Sequence, residues 1–168
     1  IDLLGQTIDG LHRALQHARA QGMAVSLQLL VVDNSTDPLY QRRVRELVFK
    51  LAEGKFDALD FWHSGWNIGY GAAHNQALAR ADSDYHLVMN PDVEMADDAL
   101  MLGTRYLAEH MDVAMISPLA TNHEGENQYL CKRYPSVLVF ALRAFAPRFL
   151  QNWFRNYLYS YELRECCG

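Results

Sequence analysis

The chain has 168 residues, half of them hydrophobic and about a fifth charged, with a formal net charge of −5. That length suffices for one core and is short for two. Three cysteines, two of them adjacent at Cys166 and Cys167, exclude a disulfide framework or a spaced metal site, and no apolar run approaches the ~20 residues that span a membrane.

The charge is uneven. Residues 131–164 hold six Lys/Arg against one Glu, and the rest of the chain holds nine against nineteen. The acidic remainder argues against nucleic acid as a partner. Cysteine usage and the absence of a signal peptide predict a reducing, cytoplasmic setting. The sequence contains no internal repeat and no low-complexity linker.

The chain opens inside a helical pattern, with Leu4, Ile8, Leu11 and Leu15 on one face and Gly22 as the stop. An α/β domain ordinarily opens on a strand, so a first strand is expected upstream of Ile1. Val25 to Asp33 reads as a strand ending on a carboxylate, followed by a polar loop, Asn34 to Pro38. Leu39 to Ala52 returns to helical spacing through Val44, Leu47, Val48 and Leu51. Phe56 to His63 is a weaker strand. It runs into a loop with Gly65, Gly69 and Gly71, which either changes direction sharply or admits a ligand to its backbone.

Ala72 to Ala81 reads as a helix. A glycine-bearing loop that opens a helix can receive phosphate through free N–H groups and the helix dipole, although the same loop is equally readable as a structural turn. Tyr85 to Met89 predicts a strand buried on both faces, as in a parallel sheet covered by helices. Pro91 ends it and presents Asp92 at the carboxyl edge, where a carboxylate can hold a divalent cation against a diphosphate. The plain alternative is that Asn90-Pro91-Asp92 is only a turn.

Asp97 and Asp98 open a helix that runs to about His110, and Val113 to Ser117 is a further short strand. This alternation predicts an α/β fold with a mainly parallel sheet between helices. Thr121 to Gln128 reads as a polar loop. Beyond it, Val137 to Leu163 interleaves Phe140, Phe145, Phe149, Trp153 and several tyrosines with Arg143, Arg148 and Arg155, and Pro147 divides it into two helical pieces. The reading preferred on composition is a helical hairpin that packs its aromatics against the domain. The competing one is a peripheral contact with an anionic membrane surface.

Three stretches together resemble the family-two glycosyltransferases of the GT-A fold, most closely the bacterial rhamnosyltransferase-like enzymes of surface-polysaccharide assembly. They are VVDNSTD at 31–37, NIGYGAAHNQAL at 67–78 and NPDV at 90–93, in the family's order. RYPS at 133–136 and YELR at 161–164 are similar to segments of the same subgroup. The resemblance implies a Rossmann-like nucleotide-diphospho-sugar transferase fold, incomplete here at both ends. Residues 1–130 would be its nucleotide-sugar-binding α/β part and 131–168 a basic aromatic helical segment facing the acceptor or a membrane.

It also implies site residues. Asp33 and Asn34 would recognise the nucleotide. Asn67, Gly69, Tyr70 and Gly71 would close on it, with Asn75 as an anchor, and Asn90 stands where the family's metal motif has its first Asp. Asp92 would ligate Mg²⁺ or Mn²⁺. The implied reaction is inverting transfer of a sugar, rhamnose by likeness, from a nucleotide diphosphate to a glycan or lipid-linked acceptor, in the cytoplasm at the inner membrane face. The family's general base belongs to a later motif not contained in these residues, so the catalytic base is unassigned and weak or absent turnover is expected. The alternative is a domain that binds a nucleotide sugar or glycan without catalysis. His63, His74 and His86 receive no role, and Trp62 and Trp66 are readable either as stacking platforms or as packing beneath the loop.

Overall fold

A computed structural model describes residues 2–122, 124–128 and 132–163. The three cysteines, His123, Tyr129, Leu130 and Arg164 lie outside the described residues. The chain falls into two units, Ile1–Ala114 and Met115–Gly168.

In the first unit, α1 (Asp2–Ala20) buries Ile8, Leu11, Ala14, Leu15 and Ala18, the i, i+3, i+4 stripe of an amphipathic helix. It packs against α2 (Pro38–Ala52) and α4 (Ala99–Glu109). The expected stop at Gly22 is a Schellman closure. Met23 N–H donates to the Ala18 carbonyl at 3.1 Å and Gly22 N–H to that of Arg19 at 3.0 Å. α2 starts where Asp37 accepts from Leu39 N–H at 2.9 Å, with Pro38 occupying a first-turn position that needs no N–H. Its buried face is Val44, Val48 and Ala52.

β1 (Gln28–Asp33) and β2 (Ala58–His63) pair in parallel, with Gln28 opposite Ala58 and Asp33 opposite His63. α2, which follows β1, lies against β2, and α3 (Tyr70–Leu78), which follows β2, lies against β1. The parallel arrangement and the α/β class follow the sequence expectation. The number of strands does not. Tyr85 to Met89 forms no ladder, and Tyr85, Leu87 and Val88 are each about half exposed. Val113 to Ser117 is likewise irregular. Apolar, extended-prone residues favour an extended backbone, but a strand also needs a neighbour in register, and among the described residues β1 and β2 pair only with each other.

Asp57 clamps the entry edge of this sheet. Its carboxylate accepts from Leu27 N–H at 2.7 Å and from Arg19 at 2.6 Å, joining the residue before β1 to the residue before β2. Three further ion pairs bind α1 to the rest of the unit. Lys55 pairs with Asp9, and Arg13 with both Glu94 and Asp97. All are at least partly open to solvent, which screens them. Full burial of Leu15 and Val48 contributes ~1.5–3 kcal/mol apiece and dominates.

The second unit holds a small antiparallel hairpin, β3 (Ala120–Thr121) with β4 (Asn127–Gln128), inside the segment expected to be a plain loop. The Asn122 carboxamide organises it by accepting from Glu124 N–H and Glu126 N–H. Three helices follow: α5 (Val137–Phe145), α6 (Arg148–Trp153) and α7 (Arg155–Tyr161). Pro147 makes the expected break, and a second break at Phe154 turns the expected two pieces into three. Within the helices of this unit the aromatics find little cover. Only Val139 and Leu142 of α5 are buried, while Phe140, Phe145, Phe149 and Trp153 face outward.

The Asp57 carboxyl is held below its ordinary value, first by the Leu27 N–H and then by Arg19. Its contribution to stability is therefore present above the unfolded value, ~3.9, and is lost as pH falls through the lower folded value. Asp57→Asn should melt below the parent at pH 7, with the gap narrowing as melting is followed below about pH 4.

Candidate functional site

Parallel pairing brings the carboxyl ends of β1 and β2 out on one edge, so the loops that follow them leave side by side. Asp33, the last residue of β1, is 8% exposed. Its two carboxylate oxygens accept from Ser35 N–H at 2.9 Å and from Ser35 Oγ at 3.0 Å. Each oxygen retains a lone pair for a further donor. His63, the last residue of β2, sits directly opposite. Its Nδ1 is 3.0 Å from the Asp33 carbonyl oxygen, which can only accept, so the ring carries its proton on Nδ1.

Asn34 ties the two loops together. Its Oδ1 accepts from Ser64 Oγ at 3.1 Å and from Ile68 N–H at 3.3 Å. Ser64 Oγ also lies against the Trp66 carbonyl oxygen. Asn67 closes a short turn by accepting from Gly69 N–H at 2.9 Å. Gly69 then starts α3 with φ of 84°, a conformation in which a side chain is strained, and this accounts for glycine there. The first amides of α3, those of Tyr70 and Gly71, have no acceptor within the helix. A Cβ on Gly71 would meet nothing within 4 Å, so that backbone is open to approach.

The third stretch joins through Tyr70, whose hydroxyl donates to Asn90 Oδ1 at 2.8 Å. Asn90 to Val93 is a turn, with Val93 N–H pointing to the Asn90 carbonyl at 3.4 Å, so the turn reading of Asn-Pro-Asp is correct as a description of local structure. Asp92 is exposed within it. Downstream, α1 holds the segment. Arg13 bonds Glu94 at 3.0 Å and Asp97 at 3.2 Å, and a Cβ on Gly10 would come within 3.2 Å of the Met95 backbone nitrogen. The helix-start account of the two aspartates is thus half right. Asp98 occupies the N-cap position of α4 without a side-chain bond, whereas Asp97 is spent on Arg13, whose guanidinium it holds above its ordinary value.

Hydrogen bonds therefore link Asn34, Asn67, Gly69, Tyr70 and Asn90 along one edge, with Asp33 at the end of β1, Gly71 in the first turn of α3 and Asp92 two residues beyond Asn90. Asn75 lies exposed on α3, and its side chain makes no hydrogen bond to the loop among the described residues. Sequence reasoning gave His63 and Ser64 no part. The available signal was positional, since both close a predicted strand that must run beside the one ending in Asp33. Trp62 packs under the Arg80 guanidinium at 4.4 Å, Trp66 is largely exposed, and His74 meets the Tyr70 ring edge-on at 4.3 Å.

Among the described residues no three His, Cys, Asp or Glu side chains gather as a metal site. The lone carboxylate of Asp92 fits a Mg²⁺ or Mn²⁺ ion that takes most of its shell from a diphosphate and water, rather than an ion caged by protein. A separate cavity of about 90 Å³ in the second unit, lined by Arg133, Ser136, Val139 and Tyr157, is too small for a nucleotide sugar.

In open α/β units, ligands bind where loops converge on the carboxyl edge of the parallel sheet, as they do here. The sequence profile of Glycosyl transferase family 2 matches residues 7–165, and the chain belongs to that family. Its fold is accordingly of the GT-A class and its activity that of a glycosyltransferase, which takes a nucleotide-sugar donor and an acceptor. Members of the family often use a divalent metal. Neither a curated protein nor a solved structure matches the chain.

If Asn34 is what fastens the two loops, Asn34→Ala should expose the Ile68 amide to exchange ~5–10-fold faster, since each lost bond is worth about 1 kcal/mol. Asn34→Asp should retain most of the protection, because both bonds are accepted by Oδ1. Hydrogen exchange at Ile68 reads both.

Proposed function

We propose that this glycosyltransferase moves a sugar, with rhamnose favoured by the motif set, from a nucleotide diphosphate to a surface-polysaccharide or lipid-linked acceptor. Transfer inverts the anomeric carbon and is metal-assisted. The observation that carries this reading is the joining of all three motifs at one strand edge by two side-chain bonds, Asn34 to Ile68 and Tyr70 to Asn90. Sheets of this kind bind ligands at that edge.

Each residue has a task that its geometry permits. Asp33, its carboxylate fixed by Ser35, accepts donors from the base or ribose. His63 and Asn34 hold that strand end and the loop beyond it in place. The open amides of Tyr70 and Gly71 and the positive end of α3 face the diphosphate. Asn90, positioned by Tyr70, turns the chain so that Asp92 can hold Mg²⁺ or Mn²⁺. The ion, when bound, supplies positive charge against the departing diphosphate. The acceptor hydroxyl must also lose a proton to a base, a task none of the gathered residues is assigned. A lipid-linked acceptor at the inner face of the membrane suits the basic segment 131–164.

Calorimetric titration with deoxythymidine diphosphate and uridine diphosphate, with and without Mg²⁺ or Mn²⁺, tests the reading. Binding should require the ion and weaken ~10-fold or more in Asp92→Ala, a change of about 1.4 kcal/mol. Tyr70→Phe should weaken it by a smaller factor of ~2–10, the worth of one hydrogen bond. Binding that is indifferent both to the ion and to Asp92 would remove the metal from the reading.

A further inference from the structure

We infer that the corner between α5 and α6 is a docking surface for an anionic lipid bilayer. This deepens the acceptor side of the proposed function, but it stands on the surface of the second unit alone.

The corner is built to hold apolar side chains in water. α5 spends only Val139 and Leu142 on burial, although its sequence, VLVFALRAF, is apolar on nearly every face. Phe145 is 87% exposed at its end. After the break at Ala146 and Pro147, Phe149 and Trp153 stand one helical turn apart on α6, 71% and 83% exposed. The corner is also fixed. Gln151 Nε2 donates to the Leu142 carbonyl at 3.2 Å and to the Ala146 carbonyl at 2.9 Å, closing the C-terminus of α5 with a side chain from α6.

Charge selects the occupant. The segment 131–164 carries six Lys/Arg and one Glu in a chain whose remainder is acidic. Arg143 is paired with Glu162 and lies over Tyr161. Arg148, between Phe145 and Phe149 in the chain, is exposed and forms no ion pair among the described residues. Exposed aromatic side chains interleaved with an available cation suit the headgroup layer of a membrane bearing negative lipids, where Trp and Phe enter the apolar boundary and Arg meets phosphate. The contact is peripheral. No helix among the described residues is long and apolar enough to cross a bilayer, and nine residues of α5 extend about 14 Å.

The whole chain is sedimented with vesicles of phosphatidylglycerol in phosphatidylcholine and with vesicles of phosphatidylcholine alone. It should partition onto the first at least ~10-fold more strongly, with the difference shrinking as salt rises. The double variant Phe149→Ser, Trp153→Ser should lose ~10-fold or more on anionic vesicles, and Arg148→Glu a comparable factor that neutral vesicles do not show. Unchanged far-ultraviolet dichroism checks the fold, which the exposure of these side chains leaves intact. Three results overturn the proposal: no partitioning onto anionic vesicles, equal partitioning by parent and variants, or a dimer in sedimentation that the same substitutions abolish, which assigns the surface to a second copy. Because the readout needs neither nucleotide nor sugar transfer, its failure is distinguishable from failure of the donor-site reading.

Discussion

The parallel register of β1 and β2 is the constraint on which the site depends. It is secured at both ends by side chains rather than by the ladder alone. Asp57 joins the two entry points through Leu27 and Arg19, and His63 joins the two exits through the Asp33 carbonyl. A slip of one residue would send Asp33 to the opposite face of its strand. It would also separate Asn34 from Ser64 and Ile68, and the loop that starts α3 would lose its attachment to the loop that follows β1. Register and site are thus one structural fact seen from two distances.

The third motif is held differently. Among the described residues, 85–97 join no ladder; side-chain bonds hold Asn90 on the Tyr70 hydroxyl and Glu94 with Asp97 on Arg13, and Met95 packs on Gly10. The side-chain bonds among these are exposed and weakened by solvent. The Asp33 edge, by contrast, rests on the buried face of α2 and the strand pairing. In the proposed reading the unit therefore carries a firm half-site and a lightly tethered one. A lightly tethered carboxylate can adjust to a ligand that arrives with its own ion, which suits loop-borne binding residues better than a rigid cage would.

Local features were legible in the sequence and relations between distant segments were not. The stop at Gly22, the polar loop before α2, the strand ending on Asp33 and the break at Pro147 all follow from chemistry within a few residues. YHLVM reads as a strand for the same local reason, yet whether it pairs depends on a neighbour that no local pattern specifies. The tail illustrates the same boundary from the other side. Phe145, Phe149 and Trp153 are core-forming residue types, and only the three-dimensional arrangement shows that α5 and α6 leave them outside. The site residues were named through motif likeness, whereas His63 and Ser64 become visible only once the two strand ends are seen to be adjacent.

In the proposed reading, electrostatics decide how a diphosphate can rest at this edge. The charged side chains named there, Asp33 and Asp92, are both carboxylates, and each would repel an incoming anion. The N-terminus of α3 offers the equivalent of about half a positive charge, too little to offset a nucleotide diphosphate beside two carboxylates. A divalent ion reverses the sign of the problem at Asp92. The same carboxylate that opposes a bare diphosphate then attracts one that carries Mg²⁺ or Mn²⁺, and Asp33 is left to meet the neutral base and ribose, where an acceptor is required. The division of labour between the two aspartates follows from where the charge of the donor lies, with the firm half-site reading the nucleoside and the tethered half-site holding the charge.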